Sequence, residues 1–248
     1  MFRGKDLFNE LKGLPWMGLL LYGITGRFFT DNQIRLFEGI WAISTSYPDP
    51  RLWNNRVVAL AGSARSTAAL GIGAATAVSE ANIYGPRPGI RAIDFLFRTK
   101  KHLDAGGELT TWIKKELKQC RSLGGYGRPV VRRDERIQPL LSYAIELDLG
   151  DGPYTKLAFR VEQALLEGRW RMQMNIAALI ASLSADQGLI AEEFYNFVVL
   201  CFSGGMFPCY IDATGKRGGS FFPLRCSRIT YDGKPRRNWT SVRPVSEA

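Results

Sequence analysis

Apolar residues recur at helical spacing along almost the whole chain, and runs of alternating β-branched residues are few, which restricts the fold to an all-α architecture. Gly- and Pro-rich breaks at residues 85–89, 124–129, 150–153 and 215–219 cut that pattern into helix-sized pieces. Thr30 predicts an N-cap, with Gln33 completing a capping box, and Ile34, Phe37, Ile40 and Trp41 then share one face of a helix that runs out near Ser44. Asp49 before Pro50 reads as another helix start, since proline has no amide hydrogen to lose in a first turn. Residues 59–81 are dominated by Ala, Gly and Ser. Side chains this small let backbones approach closely, which predicts two helices at a tight interface, within one chain or between two copies. Residues 14–24, 87–98, 109–121, 137–147, 154–167, 172–184 and 191–202 carry further helical patterns.

A chain of 248 residues with 46% apolar side chains can bury a real core, as one large domain or two modest ones. Lys and Arg outnumber Asp and Glu by 33 to 23, a formal charge of +10 concentrated over residues 121–136 and 217–243. That balance suits an anionic partner (a nucleic acid, a membrane surface or a polyanionic metabolite such as a CoA ester), or else a basic surface with no dedicated ligand. The four cysteines, Cys120, Cys201, Cys209 and Cys226, form no Cys-x-x-Cys pair and have a single histidine, His102, beside them, which speaks against zinc and against a disulfide framework. One histidine also leaves no Ser-His-Asp set. His102 lies in a charged helix end and is expected in solvent; Asp134, close to Arg133 and Arg136, reads as half of a structural ion pair; Cys201 reads as packing. Asp6 follows Met1 too soon for a secretory signal, and the apolar stretches at 14–24 and 68–78 fall short of the roughly 20 residues of a membrane span, so a cytoplasmic protein with no membrane contact is expected.

Several segments, in order, resemble citrate synthases and their short citryl-CoA lyase relatives. The run Gly125-Tyr126-Gly127-Arg128-Pro129-Val130-Val131-Arg132-Arg133-Asp134-Glu135-Arg136 resembles the family signature Gly-Phe-Gly-His-Arg-Val-Tyr-Lys followed by Asp-Pro-Arg, and is closer still to the lyases' Gly-Ile-Gly-His-Pro-Val-His-Lys. Arg128 stands at the histidine that polarises a substrate carbonyl in the family; an arginine can hold a carboxylate by two hydrogen bonds but, with its very high pKa, does not readily trade protons. Ile83-Tyr84-Gly85-Pro86 is similar to Leu-His-Gly-Gly, with Tyr84 in place of the other histidine, either as a hydrogen-bond donor to a thioester oxygen or as a packing residue. Met174-Asn175-Ile176-Ala177 resembles Pro-Asn-Val-Asp, with Ala177 where the proton-abstracting aspartate stands. Phe202 falls at an arginine position, while Arg228 in Arg228-Ile229-Thr230-Tyr231-Asp232-Gly233 keeps the arginine of the family's dimer-crossing arm.

The resemblance implies an all-α citrate synthase-like fold in which a large helical domain (residues 1–84 and 176–239, with the C-terminal arm) carries a small helical domain (85–175) that closes over a cleft, followed by a mobile tail (240–248). It further implies a homodimer. The substrate would be a small-molecule polycarboxylate or a CoA thioester, with no tightly bound cofactor and no metal. Tyr84 and Arg128 would act on it, and Arg132, Asn175 and Arg228 would hold it, in a carbon–carbon lyase or condensing acyltransferase with a refitted pocket. The alternative is a catalytically inactive homologue that serves as a ligand-binding or partner subunit. Nucleic acid fits less well, since no recognised binding module accompanies the basic residues and interleaved aromatics of Arg225 to Trp239.

Overall fold

The computed structural model describes residues 1–45, 49–50, 52–81, 85–127, 134–220 and 232–234. The sequence-predicted arm over 221–239 lies almost wholly outside these, and the tail over 240–248 entirely so. Among the described residues the structure is helical, and its β pairing is confined to two isolated bridges, Phe2 with Lys5 and Tyr126 with Met174.

Helices α1 (Trp16–Thr25) and α2 (Asp31–Ser44) come first. Arg3 closes the end of α1 by donating Nε to Gly23 O at 2.8 Å and Nη2 to Ile24 O at 2.9 Å, two of the carbonyls a helix C-terminus leaves without partners. Helix α2 carries the expected capping box, with Gln33 N donating to Thr30 Oγ1 at 3.3 Å and Thr30 N to Gln33 Oε1 at 2.9 Å. The next helix does not start at Pro50. Leu52 N donates to Asp49 O at 3.1 Å in a turn, and α3 (Trp53–Ser63) begins after it, so the Asp-Pro pair shapes the approach to the helix rather than its first turn.

Helix α4 (Ala68–Ser79) packs on α3 as the small residues predict: a Cβ at Gly71 would sit 2.9 Å from Ala61 Cβ. Then follow α5 (Pro86–Asp104), α6 (Leu109–Cys120), α7 (Ile137–Glu146), α8 (Pro153–Glu167) and α9 (Ile176–Asp186). Helix α9 starts four residues later than its apolar spacing predicts, because Met174 is taken up in the bridge to Tyr126 and Asn175 caps the helix. After α10 (Ala191–Val198) the chain tightens into a 3-10 turn, Val199–Phe202, and resumes as α11 (Met206–Thr214), a helix that the sequence pattern does not announce. His102 is not in solvent as expected. Its ring is half-buried and stacks on Trp112 at 4.6 Å, and Gly107 packs against its other edge.

The buried side chains form two clusters. The main one draws on α1, α2 and α5–α10, with Phe37, Phe95, Phe194 and Phe197 fully enclosed and Phe37 meeting Phe197 edge to face at 5.0 Å. Helices α5 and α9 form its centre, packed on each other and flanked by α8 and α10. The smaller cluster joins α3, α4 and α11 through Val58, Ala59, Ala75, Met206, Cys209 and Ala213. The stretch Ala191–Thr214 is long and apolar enough to cross a membrane by length and composition. In the fold it bridges the clusters, its first half packed in the main one and its second half in the smaller.

Candidate functional site

A cavity of about 410 Å³ opens where the N-terminal ends of α5 and α9 meet the glycine turn after α6. The turn lies this close because it carries no side chains on that side. A Cβ at Gly124 would come within 2.6 Å of Arg91 Cβ, and one at Gly125, whose φ is +84°, within 2.5 Å of Ala178 Cβ. Gly127 N donates to Gln173 O at 2.7 Å and Asn175 N to Gly125 O at 2.9 Å, which zips the turn to the strand-like entry of α9. Between these glycines Tyr126 is buried and donates its hydroxyl to Ala158 O at 2.9 Å. Burial, and after it the charge of Glu162, raises its pKa well above the ordinary value, so it anchors the turn as a neutral phenol.

Asp134 and Arg136 line the cavity beside the turn. The Asp134 carboxylate is fully enclosed and takes Nε and Nη2 of Arg136, both at 2.9 Å, together with Ile176 N at 2.9 Å. Burial alone would raise its pKa; the Arg136 hydrogen bonds, the Ile176 amide and the guanidinium charge outweigh that and hold it at about 2. The expected structural ion pair is therefore present, and it also fixes the start of α9. Arg91, one turn into α5, reaches the cavity from its exposed side and is steadied by Ser122, with Nη2 2.9 Å from the hydroxyl and 3.2 Å from the carbonyl. Sequence singles out neither Arg91 nor Arg136 as a ligand. Arg136 lies inside the resembling run but reads there only as an ion-pair partner, and Arg91 belongs to no motif.

Asn175 lines the cavity, half-buried, with much of its side chain committed: Oδ1 accepts from Ala177 N at 3.0 Å as the cap of α9, and Nδ2 donates to Gly127 O at 2.8 Å. Tyr84, Arg128, Arg132 and Arg228 lie outside the described residues. Their described chain neighbours Gly85, Gly127 and Asp134 line the cavity. Ala177 and Phe202, the two positions where the sequence departs from the family's aspartate and arginine, line it as well. Cys201 is on the same wall, its thiol pushed up to about 12 by burial despite a contact with Ser44 that acts the other way. A smaller cavity of about 210 Å³ shares Phe202 and holds Glu80, which accepts from Tyr195 Oη at 2.9 Å and Arg87 Nε at 3.3 Å.

The helical architecture of the described residues has the fold of citrate synthases and citryl-CoA lyases, in a short form. The structure of citryl-CoA lyase from Hydrogenobacter thermophilus matches with a TM-score of 0.82 at 18% identity, covering 96% of this chain and 91% of that one. ATP citrate lyase from Methanothrix soehngenii, in complex with citrate and coenzyme A, matches at 0.72 and 17%, over 93% of this chain and 39% of its own. Citrate synthase from the archaeon Thermoplasma acidophilum, in a ternary complex with carboxymethyl coenzyme A and oxaloacetate, matches at 0.68 and 16%, over 92% and 59%. No family model and no curated protein matches the sequence.

Proposed function

We propose that this citrate synthase-like chain binds a small polycarboxylate or a CoA thioester in the α5–α9 cavity, and that it is not an ordinary citrate synthase. The observation that carries the proposal is the convergence, on one cavity, of Gly85, Gly127, Asp134, Asn175, Ala177 and Phe202, all from the segments that resemble the family, together with two arginines. The ligands bound by the structural neighbours, citrate, oxaloacetate and coenzyme A compounds, are of the same chemical kind. In this reading Arg128, Arg132 and Arg228 hold carboxylates, Asn175 offers its remaining amide hydrogen, and Tyr84 donates to a thioester oxygen in a reaction that makes or breaks a carbon–carbon bond.

A second reading, an inactive homologue that binds the same ligands as a partner subunit, is favoured by one feature of the cavity. Two groups on its wall are poorly placed to exchange protons near neutrality, Asp134, held at about 2, and Cys201, pushed up to about 12. Thiol release from acetyl-CoA and oxaloacetate, and cleavage of citryl-CoA to the same pair, separate the two readings. No condensation is expected at ordinary enzyme rates of about 1 to 1000 per second. Cleavage without condensation supports the refitted enzyme, and neither reaction supports the binding subunit. Both predict that citrate, oxaloacetate, acetyl-CoA or free CoA raises the melting temperature, by several degrees at about 100 times its Kd. No shift with any of the four removes the binding reading.

A further inference from the structure

We propose that Arg91 is, among the described lining residues, the one that selects for a carboxylate at this cavity, an inference that rests on the binding reading above and adds an anchor to it. A carboxylate entering the cavity needs hydrogen-bond donors, and the backbone has few to give. Helix α5 opens Pro86-Arg87-Pro88, and its two prolines have no N–H. The first amides of α9 are already spent, Ile176 N on Asp134 Oδ2, Ala177 N on Asn175 Oδ1 and Ala178 N on Asn175 O. The two helix N-termini that face the cavity are therefore poor anion sites, and the task falls to side chains.

Among the described lining residues the charged ones are Arg91, Asp134 and Arg136. Arg136 gives Nε and Nη2 to Asp134, so its charge is matched by an enclosed carboxylate. Arg91 has no carboxylate partner among the described residues; its Nη2 rests on the neutral Ser122, while Nε and Nη1 have no protein acceptor there. One unmatched positive charge, held in place and facing a cavity with Ala177, Ile180, Val198 and Phe202 on its walls, is an arrangement for a ligand with an anionic end and an uncharged body. Arg91 lies on the exposed side of the cavity, so its attraction should weaken with salt.

Titration calorimetry of the full chain with citrate and, separately, free CoA tests this at low and high salt. Replacing Arg91 with alanine (Arg91→Ala) should weaken citrate binding about tenfold to a hundredfold, the range for a charge-assisted hydrogen bond, flatten the salt dependence and leave the unliganded melting point unchanged. Arg91→Gln, which keeps a polar contact for Ser122, should lose as much and serves if the alanine variant misfolds. Citrate binding equal to the parent's in either folded variant overturns the proposal while the binding reading stands. Weakened CoA binding with citrate unaffected overturns it too, by giving Arg91 to the phosphates. A parent that binds neither probe removes the binding reading and the proposal with it.

Discussion

Asp134 ties two parts of the site together, because one carboxylate takes both the Arg136 guanidinium and the first amide of α9. Its pKa is depressed from 3.8 to about 2, so its stabilising effect is complete above the unfolded value and is lost as pH falls through the folded one. The size of that effect is on the order of 2 kcal/mol. Acid unfolding followed by circular dichroism should therefore show a loss of stability between about pH 4 and pH 2, and Asp134→Asn should flatten that step while lowering stability at pH 7. An unchanged acid profile in the variant would mean that the ion pair contributes nothing. Cys201 illustrates the opposite case: it faces the cavity, but burial keeps its thiol protonated, so its presence on the wall is packing rather than chemistry.

At the scale of elements, the turn over residues 123–127 determines whether a cavity exists at all. It sits on α5 through Gly124 and on α9 through Gly125, and the bridge between Tyr126 and Met174 delays the start of α9 until Asn175 can cap it. Gly125→Ala combines a left-handed backbone that disfavours a side chain with a Cβ only 2.5 Å from that of Ala178, so the two elements must move apart. We expect a destabilisation of about 1 to 3 kcal/mol in thermal or urea unfolding, together with loss of ligand stabilisation. A variant that keeps both parental stability and the ligand response would show that the turn is free to shift. The legibility of elements varied for the same reason. The cap of α2 is plain from Thr30 and Gln33 because it is local in sequence, whereas α9's late start depends on a partner 48 residues away.

Over the whole molecule, the smaller cluster leaves apolar surface on all three of its helices: Leu60 on α3, Leu70 and Val78 on α4, Phe207 and Ile211 on α11 are exposed. A Cβ added at Gly73, on the outer face of α4, would meet nothing within 4 Å. Exposed apolar side chains on all three helices suit association, and we expect a two-fold dimer built across α4, in keeping with the small residues of 59–81. Sedimentation at micromolar concentration should give a dimer for the parent and a monomer with unchanged helix content for Gly73→Arg, since an arginine fits the free subunit but not a close helix pair. A monomeric parent would sink this expectation, as would a dimer undisturbed by the substitution.

Helix type, most helix positions and the order of the resembling segments were set by the sequence alone, because apolar period, caps and glycine breaks act over a few residues. Ala177 and Phe202 stand out in the same way, as departures from a pattern that is visible without their surroundings. Only the tertiary structure decided that both face one cavity, that Asn175 is largely occupied as a cap, that His102 stacks on Trp112, and that Arg91 has no opposing charge among the described residues where Arg136 does. The physical reason is that a side chain's charge balance and its free hydrogen-bonding groups depend on neighbours brought in from distant parts of the chain: Ser122 is 31 residues from Arg91, and Ile176 is 42 from Asp134.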